Sequence, residues 1–389
     1  MKVIEGRISG GSAAEIHLDS ELIADVVTRA GSRSRQRESR NEMRIAPGFI
    51  DIQVNGFAGI DFNSPEFKGD DLVDACRNLV ETGVTAFCPT LITADYNRLA
   101  RNIVEIRQAC QKHPLVKSMM LGIHLEGPYI SAEDGPRGAH PKAHVVQPDW
   151  QQFEKFLEMG QGLVRMVTLA PELPGGLTFI KKAAQKGLAV GIGHCSPQPE
   201  VVDQAVRAGA GISTHLGNAA HQMLHRHQNY LQKQMALDGL MASLICDGIH
   251  LPDYFVKNVV RAKGRANVIL ITDATAATAA APGRYGLGDL VVEADDDGAL
   301  RLAGSPFLAG STLTLEKAIS NCADFAGIPL ASAIKMTTVN PARLFKGISG
   351  KLEKGQRADL VLYRADRKRI QVFEVYLAGR LVYKAGEDL

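Results

Sequence analysis

The chain lacks most of the features that would place it at a glance. Its six cysteines, Cys76, Cys88, Cys110, Cys195, Cys246 and Cys322, are scattered, and no two form a CxxC pair. In a chain of 389 residues they read as buried thiols, not as the framework of a disulfide-stapled secreted domain. There is no excess of one charge. Lys plus Arg is 44 and Asp plus Glu is 42, a net charge of +2, so nothing points to nucleic acid or an anionic membrane surface as partner. No window reaches the ~18 apolar residues of a membrane span, and residues 1–7 carry no secretory apolar core. Low-complexity segments are absent too. A cytoplasmic protein with no membrane partner is the expectation.

What the chain does have is alternation. Apolar runs near 49–54, 84–88, 119–125, 163–169, 188–193, 211–214, 241–246 and 267–272 read as strands. Helical patterns at 70–82, 95–112, 149–159, 175–187 and 199–208 lie between them. Eight strands alternating with helices predict a parallel (β/α)8 barrel of the TIM type, over residues 47–349. Outside it the texture is β-rich. Residues 1–46 hold short strand-like pieces and a polar stretch, 28–44, dense in Arg and Ser, expected as an irregular loop or exposed hairpin. After residue 350, a turn feeds a strand at 355–363 and a hairpin follows at 372–383. Neither end is long enough to bury a core alone, so the two are expected to pack together as one small β-sandwich domain, 1–46 plus 350–389.

Several barrel strands end on a group that carries chemistry. The run Val268 to Thr272 stops at Asp273, Leu121 to Leu125 at Glu126, Leu188 to Gly193 at His194, and Gly211 to Thr214 at His215. In a parallel barrel those ends share one rim. Glu126, His194 and His215 supply a carboxylate and two imidazoles, the donor set of a catalytic divalent metal with a position left open for water. Zinc suits these donors best, with iron, manganese and cobalt compatible. Asp273 beside such a site could take a proton from water and later give it to a leaving amine. Each residue alone could be a cap or a satisfied strand end, but four together make a site the better reading. Alternation turns Cys195 away from the face His194 occupies. On the first strand, Gln53 and Asn55 share a face, but amides are poor zinc ligands. The fourth strand ends in Thr168-Leu169-Ala170-Pro171-Glu172, with no lysine to bridge two ions. One tight metal is therefore expected, not a pair.

These pieces, taken in order, resemble a known family. Pro47-Gly48-Phe49-Ile50-Asp51-Ile52-Gln53-Val54-Asn55-Gly56, His124-Leu125-Glu126-Gly127-Pro128, Gly138-Ala139-His140-Pro141, Gly193-His194-Cys195, Thr214-His215-Leu216-Gly217-Asn218-Ala219, Asp247-Gly248-Ile249-His250, Thr272-Asp273-Ala274 and Leu308-Ala309-Gly310-Ser311 are similar to the motifs of the N-acetylglucosamine-6-phosphate deacetylase family of the amidohydrolase superfamily. The resemblance implies a metal-dependent deacetylation of N-acetylglucosamine 6-phosphate to glucosamine 6-phosphate and acetate. It implies metal ligation by Glu126, His194 and His215, with Asp273 as base and then acid. His140 would polarise the amide carbonyl, Asn218, the Ala219 backbone and His250 would contact substrate, and Arg226 would reach the phosphate of the neighbouring subunit in a homodimer. The family usually shows an aromatic where Gly217 stands, Met at Ala220, and Arg-Glu-Pro-Gly where this chain has Arg226-His227-Gln228-Asn229. His221, His225 and His227 crowd the same segment. The alternative is therefore an amidohydrolase of the same fold acting on a different N-acyl or unphosphorylated substrate. A metal-free scaffold is the remote third reading.

Overall fold

The computed structural model describes residues 2–8, 11–29 and 42–387. Eight parallel strands form one sheet in chain order: β1 (Phe49–Val54), β2 (Val84–Ile92), β3 (Ile123–Glu126), β4 (Val164–Leu169), β5 (Ala189–Ile192), β6 (Ile212–Ser213), β7 (Met241–Ile245) and β8 (Val268–Ile271). The sheet closes where the first strand meets the last. Asp273 N donates to Gln53 O at 3.0 Å, and Asn55 N donates to Ala274 O at 2.7 Å. Every residue of β3, β5, β7 and β8 is buried. That follows from a sheet filled with side chains inside and covered by helices outside, which leaves neither face wet.

The helices begin where the sequence supplies caps. Asp95 accepts from Arg98 N at the start of Tyr96–Lys112, and Asp149 accepts from Gln152 N at the start of Trp150–Gly160. Each satisfies a backbone N–H that the helix leaves without a partner. The third strand starts later than expected, at Ile123, because Pro114 opens a short helix, Pro114–Met119, its missing N–H costing nothing at a first helical turn. The second strand runs on to Ile92. A feature absent from the sequence expectations follows β8: an antiparallel meander of β9 (Gly283–Leu287), β10 (Leu290–Ala294) and β11 (Leu300–Leu302).

Both chain ends build one mixed seven-stranded sheet. Its order is Arg380–Lys384, Arg369–Leu377, Leu360–Asp366, Arg44–Pro47, Lys2–Arg7, Ala13–Asp19 and Leu22–Arg29. The ends meet where Leu360–Tyr363 pairs antiparallel with Arg44–Pro47. Alternation then divides the strand between two cores. Leu360 and Leu362 pack with Ile4, Ile16 and Ile45, whereas Val361 and Tyr363 join the barrel core. Most of the polar stretch expected as a loop or hairpin, residues 30–41, lies outside the described residues. No helix among the described residues is long and apolar enough to cross a membrane.

Candidate metal centre and active site

The barrel brings its strand-end groups to one point. Glu126 Oε1, His194 Nε2 and His215 Nε2 form a tight triangle, with edges of 3.0 Å (His215–Glu126), 3.0 Å (His215–His194) and 3.3 Å (His194–Glu126). The backbone is bent to achieve it. His194 (φ 50°), His215 (φ 32°) and Asp273 (φ 53°) all take left-handed conformations two residues beyond their strands, a region non-glycine residues seldom occupy. Strain of this kind persists only where the surroundings enforce it.

Hydrogen bonding decides which atoms can bind an ion. His194 Nδ1 lies 3.1 Å from Pro136 O and 3.2 Å from Arg137 O. Carbonyls only accept, so Nδ1 carries the proton and Nε2 turns a lone pair toward Glu126 and His215. Three such donors about 3 Å apart fit one divalent ion with ligand bonds of roughly 2.0–2.2 Å. Burial would raise the Glu126 carboxyl, but the neighbouring His194 and His215 imidazoles outweigh it and hold the group well below its ordinary value. Burial disfavours the His215 cation, yet the Glu126 carboxylate prevails and raises that imidazole.

His140 also lies close, its ring 4.1 Å from that of His194 and its Nε2 3.9 Å from Glu126 Oε2. Its ligating nitrogen falls with a Glu126 carboxylate oxygen and a His194 nitrogen within 4.8 Å of one another, a looser grouping than the triangle with His215. Its hydrogen bonds suggest a different task. His140 Nδ1 accepts from Thr93 N at 3.4 Å and contacts Thr93 Oγ1 at 2.8 Å. That leaves the proton on Nε2, where it can be donated into the cavity. Burial, then the neighbouring His194, keep the ring neutral by holding it well below the usual imidazole range.

Asp273 is tied to this group through amides. Gln53 Nε2 donates to Glu126 Oε1 at 2.8 Å and to Asp273 Oδ1 at 3.1 Å, and Asn55 Nδ2 donates to Asp273 Oδ1 at 2.7 Å. The sequence showed Gln53 and Asn55 on one face and too weak to ligate. Their use as donors that set a carboxylate was not anticipated. Burial and the Glu126 charge push Asp273 up to about 6.

Glu126, His140, His194, His215, Asn218, Ala219, His250 and Asp273 all line one cavity of about 790 Å³. Asn218 Nδ2 is buried in its wall without a hydrogen-bond partner, an unspent donor of the kind that marks a ligand position. His250 Nδ1 contacts Asp247 Oδ2 at 2.6 Å, which fixes its ring. Arg226 is exposed and lies off the cavity wall of its own chain. The additional histidines also stay outside it. His221 Nε2 contacts Glu133 Oε2 at 3.0 Å, which ties two loops together, and His225 Nδ1 accepts from Gln228 N at 2.9 Å within its own turn. Cys195 is buried with a thiol pushed well up by that burial, no basis for a thiolate ligand. At Gly217 (φ +99°) a side chain has no room: a Cβ there would lie 2.7 Å from Phe255 Cε1 and 2.9 Å from Leu251 Cδ2.

Residues 44–382 match the amidohydrolase family. The chain is 32% identical over 341 residues to N-acetylglucosamine-6-phosphate deacetylase of Lysinibacillus sphaericus, covering 87% of this chain and 85% of that protein. It is 34% identical over 359 residues to the Danio rerio protein of the same name, covering 87% and 84%. Among solved structures it resembles the Mycobacterium smegmatis N-acetyl-D-glucosamine-6-phosphate deacetylase in complex with N-acetyl-D-glucosamine-6-phosphate, with a TM-score of 0.84, 29% identity and 95% and 94% of the two chains covered. The Thermotoga maritima enzyme gives a TM-score of 0.85 at 26% identity, covering 99% and 100%.

Proposed function

The chain belongs to the amidohydrolase family, in its N-acetylglucosamine-6-phosphate deacetylase branch, and on that premise we propose that it hydrolyses N-acetylglucosamine 6-phosphate to glucosamine 6-phosphate and acetate. The convergence of Glu126 Oε1, His194 Nε2 and His215 Nε2 beside Asp273 carries the reading. Those three residues would hold one divalent cation, most simply Zn2+, whose chemistry when bound is to polarise the amide and make water more acidic. Asp273 accepts the proton of the attacking water and returns it to the departing amine nitrogen. His140 donates its Nε2 proton as a hydrogen bond to the amide oxygen as charge develops there. Gln53 and Asn55 hold the Asp273 carboxylate in place. His250, Asn218 and the Ala219 backbone face the sugar phosphate. Arg226 reaches the phosphate bound by a second copy in a homodimer, a role compatible with its exposure. Six free, buried thiols suit a reducing cytoplasm.

The test is acetate release from N-acetylglucosamine, N-acetylmannosamine and N-acetylgalactosamine, each with and without a 6-phosphate, by metal-loaded protein. Preference for N-acetylglucosamine 6-phosphate is expected. Faster turnover of an unphosphorylated sugar would transfer the assignment to another N-acyl substrate on the same catalytic groups.

A further inference from the structure

We propose that the cavity is built for an N-acyl chain longer than acetyl, seated in an apolar trough that begins at the reacting carbonyl. The inference rests on the deacylase reading above and refines its acyl class. At about 790 Å³ the cavity is toward the large end of the ~300–1,000 Å³ usual for small-molecule sites. Asp134, Arg137, Asn218, Gln222 and His250 contribute polar lining. Ile92, Leu287, Leu290 and Leu302, which pack in one cluster, make an apolar side, and Phe307 and Leu308 also line the cavity.

The inner end of the apolar side is fixed by its chain neighbours. Ile92 pairs with Glu126 across β2 and β3 and precedes Thr93, which holds His140. Opposite, Ser311 N donates to Asp273 O at 2.9 Å, which draws Leu308 and Ala309 alongside Asp273. The apolar side therefore starts between the carbonyl-polarising imidazole and the base. It continues over the meander, where Leu287, Leu290 and Leu302 pack in one cluster with Ile92 and Ala309. It ends at Phe307, 61% exposed. A hexosamine phosphate carries hydroxyls or charge around its ring, so its acyl group is the part suited to this wall. An acetyl methyl covers only the inner end, whereas a butyryl chain covers the leucines beyond it. The chemistry is unchanged: the amide C–N bond breaks, the water oxygen ends in the carboxylate, and the amine takes the proton.

The experiment compares N-acetyl-, N-propionyl- and N-butyrylglucosamine 6-phosphate with the metal-loaded full chain. kcat/KM is expected to rise about fourfold per added methylene, the factor that corresponds to ~0.8 kcal/mol for each one buried. A butyryl value at or below the acetyl value overturns the inference while leaving the deacetylase reading intact; no turnover of any of the three removes both. Binding to the Asp273→Asn protein gives a second readout, in which the butyryl compound is expected to bind more tightly and equal affinity counts against the trough. In Leu290→Asn the butyryl-to-acetyl ratio of kcat/KM should fall about tenfold, and an unchanged ratio would also overturn it.

Discussion

Asn55 Nδ2 sits 2.7 Å from Asp273 Oδ1, so an amide on the first barrel strand donates to a carboxylate that follows the last. A donated hydrogen bond favours the ionised carboxyl, against the burial that pushes Asp273 up to about 6. Asn55→Leu removes the donor. The acid limb of the kcat profile should then move about one pH unit upward, with kcat reduced roughly twofold at pH 7 and roughly tenfold well down the acid limb. An acid limb that stays in place would separate Asp273 from the rate-governing proton transfer.

Asp273→Asn keeps the shape and removes the proton acceptor. Deacetylation should fall by on the order of a thousandfold or more while metal content, measured by elemental analysis, stays at the wild-type level. Near wild-type turnover in metal-loaded protein would end the proton-shuttle role.

His215→Ala removes one corner of the triangle and leaves Glu126 and His194 3.3 Å apart with an incomplete donor set. Bound metal after dialysis should drop to about a tenth of the wild-type amount or less. Retention of the full metal content would mean that the ion is held elsewhere.

Asp51 is buried beneath this site, where Thr272 Oγ1 donates to its Oδ2 at 2.6 Å. Burial dominates and raises its carboxyl to about 7, against ~4 for an exposed aspartate in the unfolded chain. Between those values the folded protein holds the extra proton. Its stabilising share is therefore complete below about pH 4 and is lost as the pH rises toward 7. Asp51→Asn should flatten that slope, a difference of a few kcal/mol at most, in denaturant titrations of metal-free protein across pH 4–7. An identical slope in both proteins would assign the effect to other groups.

Gly217→Ala forces a Cβ against the Phe255 ring at a φ of +99°. The expected cost is about 1–3 kcal/mol, read as a lower denaturant midpoint, since the added Cβ meets the ring at a backbone φ that side-chain-bearing residues seldom adopt. A midpoint equal to wild type would show that Phe255 has room to move. The same crowding gives a physical reason for glycine where an aromatic is usual in the family: Phe255 and Leu251 already fill the space.

Local pattern along the chain already encodes the barrel and its rim. Runs such as Val268–Ile271 encode buried parallel strands through their own composition, and a polar group at the end of such a run must emerge on the same rim as its fellows. That local logic placed Glu126, His194, His215 and Asp273 together. It also put Gln53 and Asn55 on one face. What those amides do was settled only by barrel closure, which carries β1 against β8 and sets Gln53 within reach of both Glu126 and Asp273. Tertiary packing likewise chose among the histidines. His140 is aimed into the cavity because Thr93 grips its Nδ1 and is kept neutral chiefly by burial, whereas His221, to which the sequence assigned no role, is drawn off by Glu133. The meander that lines the apolar side is not legible in the sequence because its strands are short and split by the polar turn at 295–298, leaving no run long enough to show a period. Periodicity reports which way a side chain faces over a few residues. Which distant groups meet it depends on how the closed barrel brings its loops together.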